Sequence, residues 1–162
     1  MLPSGWLADV EAGELARLAD DRVVLELGAW KGRSTALLSW AARYVVSVDR
    51  HRGGGEVGAE DSLPDYLDSV RMLGNVAMVV ASFEEFVPLL GRSFDLAFVD
   101  GDHDEASVRR DALLARDHVR KGGVVAFHDW DRESVRQGAR AVFLDRELLD
   151  IVHTLASFQV AP

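Results

Sequence analysis

Apolar residues fall along this chain in short continuous runs separated by polar, often glycine-marked breaks. Val23–Leu27, Tyr44–Val48, Val76–Val80, Phe94–Val99 and Val124–Phe127 are rich in β-branched and aromatic residues, the pattern of strands buried on both faces. Between the runs the period lengthens. Leu7 to Ala19 carries Leu7, Val10, Leu15 and Leu18 at helical spacing, and Ser34 to Arg43 reads as a second helix. Ser62, Pro64 and Asp65 open a third, carried to Gly74, a residue suited to a left-handed C-terminal cap. Ser82 with Glu85 is a capping box for a fourth, which stops at Gly91. Val108–Val119 and Glu133–Leu148 read as later helices, with Lys121-Gly122-Gly123 as a turn. Ile151–Leu155 and Phe158–Val160 form a closing antiparallel pair, and Arg50 to Asp61, with Gly53-Gly54-Gly55, is a loop. Strand–helix alternation of this kind predicts an α/β fold: a doubly wound, Rossmann-like parallel sheet that binds ligands at the carboxyl ends of its strands.

Composition narrows the function. One domain fits 162 residues. A net charge of −9 argues against partners such as nucleic acid or an anionic membrane surface, which need clustered Lys and Arg. There is no cysteine, so disulfides and thiolate metal sites are excluded. No apolar run approaches the roughly 18 residues of a membrane span, and the N-terminus lacks the layout of a signal peptide. The expected setting is cytoplasmic.

The chemistry sits where the runs end. Val23 to Leu27 leads through Gly28-Ala29-Trp30-Lys31-Gly32 into Arg33-Ser34-Thr35, a strand, a tight loop and a helix N-terminus against which a nucleoside can lie. The second apolar run ends in Asp49, spaced to accept hydrogen bonds from ribose hydroxyls, and Arg50 beside it joins the expected cofactor-binding set. Trp30 stands where a dinucleotide fingerprint needs its second glycine. The loop therefore suits a nucleoside without a pyrophosphate, with Glu26 supplying a carboxylate for a ligand amine. Gly28 and Gly32 allow close backbone passage, and Trp30 either shapes one end of the ligand site or is core.

Glu26-Leu27-Gly28-Ala29-Trp30-Lys31-Gly32-Arg33-Ser34 resembles motif I of the class I S-adenosylmethionine-dependent methyltransferases, in particular the catechol-type O-methyltransferases. Downstream, Asp100-Gly101-Asp102-His103, Val108-Arg109-Arg110-Asp111, Gly122-Gly123 and His128-Asp129 resemble the small-molecule family that contains macrocin O-methyltransferase and cephalosporin-hydroxylase-like proteins. The resemblance spans about Val23 to Trp130. It implies a seven-stranded sheet in the order 3-2-1-4-5-7-6 with the last strand antiparallel, S-adenosyl-L-methionine as cofactor, and O-methylation of a sugar or natural-product hydroxyl. It further implies that Ser82 and Phe83 hold the adenine and that Asp100 lies beneath the methionine.

In related metal-dependent enzymes the positions of Asp100, His128 and Asp129 hold Mg²⁺. Here His128-Asp129 replaces Asp-Asn, and imidazole is a poorer Mg²⁺ ligand. His128 is thus read either as a divalent-metal ligand or as a loop hydrogen-bonder. His103 occupies the place of the catechol-type lysine, and is read either as the base that deprotonates the acceptor, its pKa raised by Asp100, Asp102 and Asp104, or as a helix cap. Trp130 walls the acceptor pocket or covers the sheet; His51, His118 and His153 are solvated or packed. A nicotinamide-dependent oxidoreductase and a non-catalytic cofactor-binding module are the rival readings. With few residues before the first strand and no insertion for a lid, a homodimer partner is a further expectation.

Overall fold

In a computed structural model, residues 5–52, 60–91 and 94–161 are described; the Gly53-Gly54-Gly55 loop lies outside them. Seven strands, β1 Val23–Leu27, β2 Tyr44–Asp49, β3 Val76–Val80, β4 Phe94–Val99, β5 Val119–Phe127, β6 Leu148–Val152 and β7 Leu155–Gln159, form one sheet in the order β3-β2-β1-β4-β5-β7-β6. β7 runs antiparallel to β5 and β6, and the remaining pairs are parallel. The expected topology is the observed one.

Helices α1 Asp9–Ala19 and α2 Arg33–Ala41 cover one face; α4 Phe83–Phe86, α5 Glu105–His118 and α6 Glu133–Arg140 belong to the other, and α3 Leu63–Val70 follows the loop after β2. Side-chain alternation along each strand builds a core on both sides. Val24, Leu96, Phe98 and Val124 pack with Leu15 and Leu38 beneath α1 and α2. Leu25, Leu27, Ala97, Val99 and Phe127 pack with Val108, Ala112 and Phe143 beneath α5. Each large side chain so buried contributes about 1.5–3 kcal/mol.

Register decides where the site lies. Leu27 pairs with Val48 and with Val99, and Val99 with Phe127. The residues that follow them, Gly28, Asp49, Asp100 and His128, therefore emerge side by side on one edge. The ladder extends by one step at three of these ends: Gly28 N–H donates to Val48 O, Asp100 N–H to Leu27 O and His128 N–H to Val99 O.

Several element ends differ from the expected ones. α3 stops at Val70 with Arg71 as its cap, and Gly74 is not left-handed. Ser62 does not cap that helix through its side chain; its hydroxyl shares a 3.1 Å hydrogen bond with His51 Nδ1 instead. α6 ends at Arg140, and a short 3-10 turn at Asp145–Glu147 leads into β6. α5 begins earlier, at Glu105, and Lys121-Gly122-Gly123 lies within a strand whose register shifts there. Val10, expected on the buried stripe of α1, is 57% exposed. Trp130 is buried against Phe158, ring centroids 5.4 Å apart, so it covers the sheet rather than walling the pocket.

The glycine requirement is sharpest at position 28. Gly28 has φ +97, and a Cβ there would stand 2.1 Å from the Asp100 carbonyl oxygen. Gly28→Ala should cost at least about 2 kcal/mol of unfolding free energy. Gly74→Ala, where a Cβ meets nothing within 4 Å, should stay within about 0.5 kcal/mol. Denaturant unfolding of the two variants checks this; equal costs would contradict the close-approach assignment.

Candidate active site

The carboxyl edge of the sheet opens into a cavity of about 360 Å³. Of the residues singled out from sequence, Gly28, Trp30, Asp49, Arg50, Phe83, Asp100, His103, His128 and Asp129 line it. Ser34 lines a small adjoining recess with Gly28, Trp30 and Asp100. Glu26, Gly32 and Ser82 line neither.

Asp49 organises the glycine loop. Its Oδ2 accepts the Ala29 and Trp30 N–H groups at 2.8 and 2.9 Å, and its Oδ1 accepts His51 N–H at 2.7 Å. Trp30 and His51 hold left-handed backbone at φ +44 and +55, a conformation costly for residues other than glycine. The three charge-assisted bonds to one carboxylate offset that cost. Trp30 is also fastened from outside: its Nε1–H donates to Glu60, and Lys31 sits over the ring. Arg50 pairs with Asp102 across the cavity at 3.7 Å.

Three expected contacts need correction. Glu26 is fully buried, and it accepts the Thr35 hydroxyl at 2.5 Å. Its position in the alternation of β1 aims it at α2, away from the cavity. Burial pushes its carboxyl up to about 7 against hydrogen bonds from Ser34, Ser47 and Thr35. Gly32, at φ +86, lets α2 approach α3: a Cβ would meet Ser69 at 3.0 Å and Tyr66 at 3.1 Å. Ser82 accepts the Glu85 N–H at 3.3 Å, so the cap of α4 is formed, but Ser82 lines neither space and its adenine contact is not placed. The neighbouring Phe83 does face the cavity, its ring close against Gly101.

At the other end of the cavity, carboxylates and imidazoles alternate. His103 Nε2 stands 2.8 Å from Asp129 Oδ2. The helix-capping role belongs to its neighbour: Asp104 accepts the Ser107 N–H at 3.0 Å. The hydrogen bond to Asp129 raises the His103 pKa, burial opposes it, and Asp100 adds a smaller push. Neither Asp102 nor Asp104, named above as causes, is the main one. His128, only 6% exposed, has Nδ1 at 3.3 Å from both Asp100 Oδ1 and Asp129 Oδ2, and Nε2 at 3.4 Å from Glu11 Oε2. Burial works against its charge, yet the contacts with Asp100 and Asp129 outweigh it and carry the imidazole up to about 11. Asp129 is held well below the usual carboxylate range by the two imidazoles, against its own burial.

These positions revise the expected metal set. Among the described residues, the ligand atoms of Asp100, His103 and Asp129 all lie within 4.8 Å of one another. His128 is not part of that group, although its Nδ1 lies 3.3 Å from both carboxylates. Two oxygen donors and one imidazole suit a divalent ion of mixed preference better than strictly oxygen-seeking Mg²⁺.

Two residues of this site were not foreseen. Glu11, from α1, reaches His128. Its signal was a carboxylate on the apolar stripe, four residues from both Leu7 and Leu15, the spacing that marks a buried position. Asp111 lines the cavity from α5, and burial pushes its carboxyl up to about 7. Its Oδ1 accepts no hydrogen bond, with Arg110 Nε 3.5 Å away.

A family model described as "Methyltransferase domain" matches residues 25–130, well over half of the chain. The chain belongs to this methyltransferase family. Solved structures share the fold at low sequence identity. The O-methyltransferase NovP superposes with a TM-score of 0.78 at 16% identity, over 94% of this methyltransferase and 80% of NovP. An O-methyltransferase from Bacillus cereus in complex with S-adenosylhomocysteine gives 0.67 at 17%, covering 98% and 84%. The N-methyltransferase NodS from Bradyrhizobium japonicum WM9, with S-adenosyl-L-homocysteine, gives 0.68 at 16%, covering 95% and 89%. Among the described residues of the methyltransferase, no helix is long and apolar enough to cross a membrane.

The charge on His128 gives a pH signature. An imidazole whose pKa rises from about 6.5 in the unfolded chain to about 11 in the fold stabilises fully below the lower value, and that stability drains away as pH climbs toward the higher one. For one proton the slope is at most about 1.4 kcal/mol per pH unit. Unfolding free energy should therefore fall between about pH 7 and 10, and His128→Gln should flatten the fall. Parallel slopes for the two proteins would remove the imidazolium from the account.

Proposed function

We propose that this methyltransferase moves the methyl group of S-adenosyl-L-methionine to a hydroxyl of a small-molecule acceptor, with the His103–Asp129 pair as the base. The observation that carries the reading is the convergence, in one cavity of about 360 Å³, of the Asp49-held glycine loop with that acid–base pair. The volume is in the range of small-molecule sites. The bound donor supplies a methyl carbon on a cationic sulfur, and transfer to an acceptor oxygen breaks the carbon–sulfur bond and leaves a neutral thioether.

The chain's own residues align and deprotonate. Gly28 lets the backbone pass close to the nucleoside. The acceptor site left on Asp49 Oδ1 takes a ribose hydroxyl, Phe83 offers an apolar face to the adenine, and Ser34 and Asp100 flank the methionine end. Asp100, Asp102 and Asp129 line the same wall, a field that favours a sulfonium over its neutral product. His103, its Nε2 2.8 Å from Asp129, takes the acceptor proton. Asp129 orients the ring and steadies the imidazolium that forms. Alignment in a partly dry site supplies the rest of the rate.

A second reading is favoured by one observation, the mutual proximity of Asp100, His103 and Asp129. In it those three residues hold a divalent cation, which would lower the pKa of a bound acceptor hydroxyl by several units, and His103 is a ligand in place of a base.

Calorimetry with S-adenosylhomocysteine and with NAD(H) tests the donor: the first should bind and the second should not. Asp49→Ala should weaken the first by about 10- to 100-fold, the effect of losing one charge-assisted hydrogen bond; unchanged affinity would retire the ribose assignment. His103→Ala should lower kcat by about 10²- to 10⁴-fold while donor affinity holds. Chelator treatment of the wild-type enzyme then separates the two readings, since only the cation-assisted one loses activity and regains it with added metal.

A further inference from the structure

Glu11 lies outside the cavity lining, yet its carboxylate is 1% exposed and crowded with partners from three parts of the fold. Oε1 accepts the Thr154 N–H at 2.8 Å and the Thr154 hydroxyl, and meets His153 Nδ1 at 2.9 Å, all in the β6–β7 turn. Oε2 accepts the Ala8 N–H at 2.8 Å at the head of α1 and faces His128 Nε2 at 3.4 Å. A helix cap needs only the Ala8 contact, and an exposed Gln would supply it. The remaining contacts require a buried charge, which is costly unless it is fully paired.

The groups beyond His128 show what the charge does. His128 Nδ1 reaches Asp100 and Asp129 at 3.3 Å, and Asp129 reaches His103 at 2.8 Å. An imidazole ring has two nitrogens on opposite sides, so fixing Nε2 against Glu11 fixes the direction in which Nδ1 points. That direction sets where Asp129 can sit, and Asp129 holds the ring of His103. Glu11, His128, Asp129 and His103 form a continuous chain of alternating charge from the floor of α1 to the cavity.

We propose that Glu11 is a positioning residue for methyl transfer, acting through His128 to hold Asp129 and His103 in working geometry. Its kinetic consequence rests on the methyl-transfer reading above; its structural consequence does not. Removing the charge unlocks the His128 ring, and Asp129 loses one of its two imidazole partners. The glycine loop and Asp49 are untouched, and of the groups assigned to the donor Asp100 alone touches His128, so the loss falls on kcat more than on donor affinity.

The test uses Glu11→Gln, Thr154→Val and His128→Asn in the full chain. Glu11→Gln should lower kcat by about 10- to 100-fold, the fold-change of one charge-assisted hydrogen bond, with a much smaller change in S-adenosylhomocysteine affinity. Thr154→Val removes part of the clamp and leaves the His128 contact, so it should lower the melting temperature and spare kcat. The Glu11→Gln/His128→Asn double variant should be no slower than His128→Asn alone, as coupled positions require. Ring-nitrogen NMR gives a readout independent of turnover: the His128 and His103 signals should move in Glu11→Gln, while His118, bonded to Leu114 O within α5, stays in place.

Wild-type kcat in Glu11→Gln, an equal kcat loss in Thr154→Val, additive losses in the double variant, or unmoved His128 and His103 signals would each overturn the proposal. If Glu11→Gln does not fold, Glu11→Asp keeps the charge and withdraws it from His128, and must show the same kcat loss and signal shifts. A wild-type protein without methyl transfer would sink the functional reading alone, and the ring signals would still decide the role of Glu11.

Discussion

Level register between parallel strands is the constraint from which the rest follows. Once Leu27, Val48, Val99 and Phe127 share hydrogen-bonded rungs, the next residue of each strand must leave the sheet at the same edge. Neighbouring strands are about 4.8 Å apart, so groups distant in sequence are brought within bonding reach without a dedicated framework. That edge is also where backbone N–H and C=O groups run out of partners. The sequence spends polar side chains there, and the Asp49 carboxylate takes three of the orphaned N–H groups itself.

Crowding acids at one edge creates a charge problem, and the fold answers it differently at each carboxylate. Glu26, walled in by α2, pairs with no cation among the described residues, and burial drives it toward the neutral acid. Asp111 meets the same pressure from α5. Asp129 is partnered by two imidazoles and stays ionised. Glu11 remains charged deep in the fold, held down to about 2 by bonds from Thr154, His153 and Ala8 that overcome its burial. A positive His128 between Glu11 and the Asp100–Asp129 pair is what makes three nearby carboxylates tolerable. Without it, like charges at such distances would repel by several kcal/mol at the effective dielectric of a protein interior.

How much of this was legible in the sequence depends on which force set each feature. β1, β3 and β4 lie where the apolar runs place them; for β1 and β4 burial on both faces leaves no choice of residue, and β3, an edge strand with Met78 and Val80 exposed, is marked by its valines. The ends of α3 and α6 were not legible. Both helices stop early, for tertiary reasons that propensity does not encode: Gly74 sits in a turn of ordinary φ, and the chain after Arg140 must bend to bring Val142 and Phe143 into the core. Glu26 was misplaced because a motif records its position and not the parity of its strand. His103 and His128 were both recognised, but their roles were not separable. What separates them is Glu11, contributed by a helix more than a hundred residues away, and no local pattern reports that pairing.

Backbone strain points to the same edge. The left-handed non-glycine residues include Trp30, His51 and Asp129, which lie two or three residues beyond the ends of β1, β2 and β5. Glycine or asparagine at any of them would ease the backbone. At Asp129 either replacement would remove the anion on which His103 and His128 both close. The strain is therefore carried by the contacts it makes available: φ +55 at Asp129 turns the chain at once after β5, and that turn keeps the carboxylate between two imidazoles rather than in solvent. A site built this way couples its geometry to its charge. Neutralising one member loosens the backbone that aims the others, so stability and catalytic alignment at this edge should respond together to any change in protonation.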